Sequence, residues 1–269
     1  MNRIAPLISH ESPLSLLKVS HSYNDYDYCL VHLMEQEPEY RDFFINSSKI
    51  GRRILLDTSI FELGEAFDLD RYAYWVKELR PYEYILPDVL EDYQKTATNS
   101  KNFTEKHPDL VGKKIGVVQG KTYAEIINCY EYLDEIVKVD KVAISFDYSL
   151  YKILFPNSNK WVSFMMGRVL LINNLLKDGV INTAKPHHLL GCSNPLEFSF
   201  YKDSAYNFIE SIDTSSPIVH GLHKVRYEEK IGDWVKETTK LADLIKADPD
   251  VEQLAAINYN INKFKKYVS

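Results

Sequence analysis

Cysteine is scarce: Cys29, Cys129 and Cys192 are the only three in 269 residues, and they lie far apart. With no Cys-x-x-Cys pair and no Cys/His cluster, neither a disulfide framework nor a locally encoded zinc site is expected, and a reducing, cytoplasmic setting is the default. No apolar run approaches the ~18 residues of a membrane-spanning helix, and the opening MNRIAPLISHESP lacks a hydrophobic signal core, so a soluble chain with no membrane partner is expected. Repeats, low-complexity tracts and linker-like stretches are missing too. No GxGxxG, and no GxxxxGK followed by Ser or Thr, comes after an apolar run, which removes the usual phosphate loops. Positive charge is not in excess either. The formal net charge of −6 argues against wholesale coating of nucleic acid or membrane and leaves room only for a local basic patch.

What is present is a core-forming composition, 45% apolar, in a chain long enough for one barrel of strand–helix units, which needs ~250 residues. Short runs rich in β-branched residues recur, each closing on a polar cluster: RRILLDTS, YEYILPD, KKIGVVQG, KVAISFD, HHLLGCS and FIESIDTSSP. Between them FDLDRYAYWVKELR and TYAEIINCYEYLDEIVK place apolar residues at i, i+3, i+4 and i+7, the spacing of one helix face. Thr122 with Glu125 predicts a capping box, and WVSFMMGRVLLINNLLKDG reads as a mostly buried helix closing on Gly179. Strands alternating with helices predict an α/β fold with a parallel sheet. The number of units favours a single (β/α)8 TIM-like barrel over residues 1–269, with a C-terminal helical segment at about 232–269; an open doubly wound sheet is the alternative.

In such a barrel the strand C-terminal ends build the active site. Asp57, Asp88, Gln119, Asp147 and Asp213 all follow apolar runs at that position. One such Asp is an ordinary cap or turn residue. Four at one edge predict a shared cavity in which burial and like charges move carboxyl pKa values apart, the setting of glycosidic-bond chemistry.

The ordered motifs between about residues 50 and 222 resemble the tRNA-guanine transglycosylases and their phage and bacterial relatives that insert 7-deazaguanines into DNA. LLDTSIFELG (55–64) is similar to the family's Asp-Ser/Asn-Gly-Gly/Ala-Phe segment, with an ending nearer the phage DNA-modifying branch. LPDVLED (86–92) resembles the segment with the base-recognising aspartate, IGVVQGKTYAE (115–125) the Gly-Ile-Val-Gln-Gly-Gly stretch, and KPHHLLGCSNPLEF (185–198) the Lys-Pro-x-Tyr-Leu-Met-Gly segment. SIDTSSP (211–217) matches Phe-Asp-Cys-Val-x-Pro. The resemblance implies that Asp213 is the nucleophile and Asp57 the general acid/base. It also implies that Asp88 accepts the donor edge of the base, that Gln119 contacts its carbonyl with Gly120 permitting close approach, and that Leu189, Leu190 and Gly191 wall the pocket.

Departures from the family shape the expectations. Ser145-Phe146 stands where the family has Gly-Gly, so Ser145 is expected to reshape the base pocket and alter the choice of incoming base. The Cys-x-Cys-x-x-Cys…His zinc subdomain is missing, which favours DNA over tRNA as the polymer. His220, His223, Lys224 and Arg226 are the expected phosphate-binding rim, whereas His187 and His188 read as a satisfied core pair. No cofactor or metal is expected; free guanine or a 7-deazaguanine base is the other substrate, and a homodimer or helper subunit is compatible. The rival readings are a tRNA enzyme, a glycosidase or transglycosylase acting on free nucleosides, and a non-catalytic partner subunit.

Overall fold

The computed structural model describes residues 4–192, 194–227 and 236–269. Eight strands form one sheet: β1 (Leu7–His10), β2 (Asp27–Leu30), β3 (Ile54–Asp57), β4 (Glu83–Ile85), β5 (Lys113–Val117), β6 (Lys141–Ile144), β7 (His187–Leu189) and β8 (Ile209–Thr214). Their order is β1-β8-β7-β6-β5-β4-β3-β2, and every recorded register is parallel, the topology of a (β/α)8 TIM-like barrel. Between the strands run α1 (Leu17–Ser20), α2 (Val31–Gln36), α3 (Pro38–Lys49), α4 (Ile60–Leu63), α5 (Leu69–Leu79), α6 (Tyr93–Lys106), α7 (Tyr123–Glu131), α8 (Leu150–Leu154) and α9 (Lys160–Lys177). After β8 come α10 (Ser216–Leu222) and α11 (Val251–Val268). Of the C-terminal helical segment expected at about 232–269, residues 232–235 lie outside the described residues, and the helix itself covers Val251–Val268.

Packing divides the chain into two compact units. One takes the residues up to Asp25, Phe146–Ala184 and the chain from His188 onward; the other takes Tyr26–Ser145 and Lys185–His187.

In the second unit, α5 buries Tyr72, Ala73, Trp75, Val76 and Leu79 at helical spacing, and Asp68 caps it through the Arg71 N–H at 2.8 Å. The predicted capping box opens α7: the Thr122 hydroxyl accepts from the Glu125 N–H while the Glu125 carboxylate accepts from the Thr122 N–H. Glu83 and Lys141, both interior first residues of strands, pair at 2.7 and 2.8 Å, and Arg53 reaches the same carboxylate at 2.5 Å. The N-terminal ends of β4 and β6 are therefore joined by a buried ion pair.

In the first unit, α10 and α11 bury Ile218, Val219, Leu222, Ile257 and Ile261 with Leu16 and Leu241. His10 ends β1 and packs edge-on against Phe264, with both ring nitrogens buried and, among the described residues, without a hydrogen-bond partner. Burial, reinforced by the Lys265 charge, lowers its pKa to about 3. The unfolded chain takes up this proton near pH 6.5 and the fold resists it, so stability falls as pH drops from 6.5 towards 3. His10→Leu is expected to remove this acid sensitivity. At pH 5 the variant should be the more stable by ~2 kcal/mol beyond any difference at pH 8, as read from urea unfolding at the two pH values. Equal pH slopes for the two proteins would exclude His10 as the cause.

Candidate active site

Asp213 is the penultimate residue of β8 and pairs in register with Ser9 of β1. It is 4% exposed. Its Oδ1 accepts two hydrogen bonds, from the Gly191 N–H and from His188 Nε2, each at 3.0 Å. The Nδ1 of His188 meets the Ser211 hydroxyl at 2.9 Å. A carboxylate can only accept, so Nε2 donates to Asp213, and Nδ1 shares the other hydrogen bond with the Ser211 hydroxyl. Both donors converge on one oxygen, and among the described residues Oδ2 takes no hydrogen bond. Asp213 is thus a carboxylate held through Oδ1 alone by these two donors.

The lock is itself held from behind. Gly191 adopts φ +62°, and a Cβ there would lie 2.5 Å from the Phe146 ring, so the loop tolerates no side chain at this position. Its carbonyl and that of Leu190 each accept from Arg168 of α9 at 2.9 Å. Arg168 is fully buried and forms a two-pronged pair with Glu197 at 2.7 and 2.8 Å. Burial alone would disfavour the guanidinium charge; the Glu197 carboxylate more than offsets this and raises its pKa above the ordinary value. Lys236, half-buried, places Nζ 4.1 Å from the Phe146 ring centroid and 5.6 Å from that of Trp161. Burial lowers its pKa, opposed by its electrostatic interactions with the Cys192 thiol and with Asp147, Glu11 and Asp213.

The second unit carries the remaining strand-end groups. Asp57 ends β3, half-buried; its Oδ1 accepts from the Ser59 N–H at 2.5 Å, and its Oδ2 accepts from the Tyr28 hydroxyl of β2. Ser59 sits at φ +62°, a left-handed conformation costing a serine of order 1 kcal/mol, and this turns its N–H back onto the carboxylate. Asp88, three residues beyond β4, is buried, with Oδ2 accepting from Gln119 Nε2 at 2.7 Å and Oδ1 without a partner among the described residues. Gln119, two residues beyond β5, is fixed by the Glu91 N–H on its Oε1 at 2.8 Å.

Burial raises the Asp88 pKa to about 7, with the Asp57 charge adding to it and the Gln119 hydrogen bond opposing it. The fold therefore retains a proton that the unfolded chain releases from pH 3.8 upward, so Asp88 withdraws stability as pH rises through 7. Asp88→Asn is expected to be the more stable protein at pH 8, by on the order of 2–4 kcal/mol, with little difference at pH 4. A variant no more stable at pH 8 than the wild type would refute the buried-proton account.

Several expected residues take other roles. His187 is the satisfied core histidine, held by the Tyr130 hydroxyl at 3.0 Å and the Lys185 carbonyl at 2.9 Å. His188, its neighbour, points to the opposite side of the strand and holds Asp213. By the same alternation Leu189 shares the face of His187 and is fully buried, so it does not flank Asp213; Leu190 contributes its carbonyl to Arg168. At Gly120 a Cβ would meet Glu125 at 2.8 Å, so the packing of its loop on α7 requires the absence of a side chain there. Ser145 follows β6 and is 9% exposed. His220 is buried in α10, its Nδ1 on the Ser216 carbonyl at 2.9 Å and its ring against Tyr227, and so is not part of an exposed rim. His223, Lys224 and Arg226 are exposed, but Lys224 is paired with Asp250 at 3.0 Å and Glu252 at 2.7 Å, and Arg226 lies over Tyr259. Tyr28 and Arg168 had no signature in the sequence: the first lies in a strand with no clear alternation, the second inside an apolar helix.

Among the described residues, no cluster of three or more His, Cys, Asp or Glu is arranged to hold a metal, and no helix is long and apolar enough to cross a membrane. Burial raises the pKa of each of the three free cysteines, which disqualifies them as thiolate nucleophiles. No protein-family model matches this chain, and no curated protein does.

Proposed function

We propose that this chain is a guanine transglycosylase that exchanges guanine for a 7-deazaguanine in a nucleic acid, DNA rather than tRNA, through a glycosyl ester on Asp213. The observation that carries the reading is Asp213 itself, at a strand C-terminal end with Oδ1 pinned by two donors and Oδ2 unbonded. Oδ2 attacks C1′ of the target nucleotide; the C1′–N9 bond breaks and its electron pair leaves with guanine, which takes a proton at N9 from a general acid, the role that the sequence resemblance gives to Asp57. The incoming base then attacks C1′, returns its N9 proton to Asp57, and the C1′–Oδ2 bond opens. Two inversions retain the configuration at C1′. Asp88, ionised above pH 7, accepts the paired N–H groups of the purine edge, and Gln119 keeps it oriented. The cycle exchanges one N-glycosidic bond for another and needs no cofactor.

A second reading, exchange on free nucleosides, is favoured by the charges around α10. Burial of His220 and the double ion pair at Lys224 leave less free positive charge for a phosphate backbone than the sequence suggested. Labelled guanine offered with duplex DNA, single-stranded DNA, bulk tRNA and free guanosine and deoxyguanosine separates the two. Label in DNA supports the first reading and label only in nucleosides the second. Label in tRNA alone restores the tRNA enzyme, and no label in any substrate discards transglycosylation.

A further inference from the structure

We propose that Tyr28 is the positioning residue of Asp57, and that its hydroxyl lets this carboxyl group alternate between acid and base without moving. The proposal rests on the transglycosylase reading for its reaction but not for its test. In the register of β2 on β3, Tyr28 pairs with Leu55 and Leu30 with Asp57, so period-two alternation puts the Tyr28 and Asp57 side chains on one face of the sheet. The phenol, 6% exposed, donates to Oδ2, and the Ser59 N–H donates to Oδ1.

The two partners differ in one chemical respect. A backbone N–H only donates, so it suits Oδ1 while that oxygen carries no proton. A hydroxyl both donates and accepts. When Asp57 is ionised, Tyr28 donates to Oδ2; when Oδ2 is protonated, the phenolic hydrogen rotates away and the same oxygen accepts. Base exchange demands this alternation. One proton leaves Asp57 with N9 of guanine as C1′–N9 breaks, and one comes back from the N9–H of the incoming base as the C1′–O bond to Asp213 opens. The heavy atoms need not rearrange between the half-reactions, because the hydrogen bond reverses in place.

The titratable groups that sense the Asp57 charge are Cys29 on β2, Tyr72 on α5 and Asp88 after β4. His32 on α2 approaches through its backbone N–H, which lies 3.4 Å from Ser59 Oγ. Burial holds Cys29 and Tyr72 neutral far above their usual range, whereas Asp88 changes charge near pH 7. The test is therefore run in an Asp88→Asn background, which removes that charge change.

The measurement is the carboxyl ¹³C titration of Asp57 by NMR in the full chain, with and without Tyr28→Phe. Loss of the phenol removes a donor from the charged form, so Asp57 is expected to titrate about one unit or more higher in the variant. In the otherwise wild-type chain, Tyr28→Phe should lower kcat for guanine exchange roughly ten- to hundred-fold, with KM within about twofold, because proton transfer and not binding is affected. Replacement of Tyr28 by 3-fluorotyrosine keeps the packing and strengthens the donor; it should shift the titration downward. An Asp57 titration that neither replacement moves overturns the proposal, whatever happens to activity. A shifted titration in a protein that exchanges no base keeps the pairing and discards the transglycosylase reading alone.

Discussion

Asp213→Asn should stop base exchange altogether, a loss on the order of 10⁴-fold or more, while the fold survives. The asparagine oxygen can take the place of Oδ1 and keep the Gly191 N–H and His188 Nε2 as donors, so the local hydrogen bonds persist and the midpoint of thermal unfolding should move by only a few degrees, about 1 kcal/mol. What changes is the other atom: an amide nitrogen replaces Oδ2 and has no electron pair suited to attack on C1′. Acid quenching of the wild type during turnover should trap a nucleic acid–protein ester at Asp213, and the variant should yield none. Residual exchange above about one per cent would assign the nucleophile elsewhere.

The second large effect is expected far from any bond that is made or broken. Arg168→Met strands the fully buried Glu197 carboxylate and leaves the Leu190 and Gly191 carbonyls without their donor, a loss of ~3–5 kcal/mol. In a chain of this size that corresponds to a fall of roughly 10 °C in the unfolding midpoint. Arg168→Met combined with Glu197→Leu removes the stranded charge and should regain much of the stability, since a well-packed apolar pair can replace a buried ion pair at little net loss. The same double variant should still exchange base at least roughly tenfold more slowly, because the loop presenting the Gly191 N–H to Asp213 is no longer tied down. Recovery of both stability and rate would reduce Arg168 to a purely structural residue.

These two substitutions separate what could be read along the chain from what could not. The six apolar runs named in the sequence are strands β3–β8, because a parallel strand buried on both faces leaves a short branched-chain run closing on a polar residue. Strands β1 and β2 went unread. LISH and DYCL are four residues each and begin or end on a polar group, too short for periodicity to separate them from loop. Within the run FIESIDTSSP the strand is Ile209–Thr214, which places Asp213 inside the pairing rather than beyond it.

By itself, the sequence determined the alternation of strands and helices, the helix caps, and the positions of Asp57, Asp88, Gln119 and Asp213 at strand C-terminal ends. Each of these depends on residues within one or two turns of chain. Tertiary structure alone decided which of two adjacent histidines holds Asp213, that Tyr28 reaches across to Asp57, that Arg168 finds Glu197 29 residues away, and that His220 is buried. Those outcomes follow from strand register and helix packing, where a one-residue slip exchanges the faces of a strand. No local pattern of residue types encodes that choice.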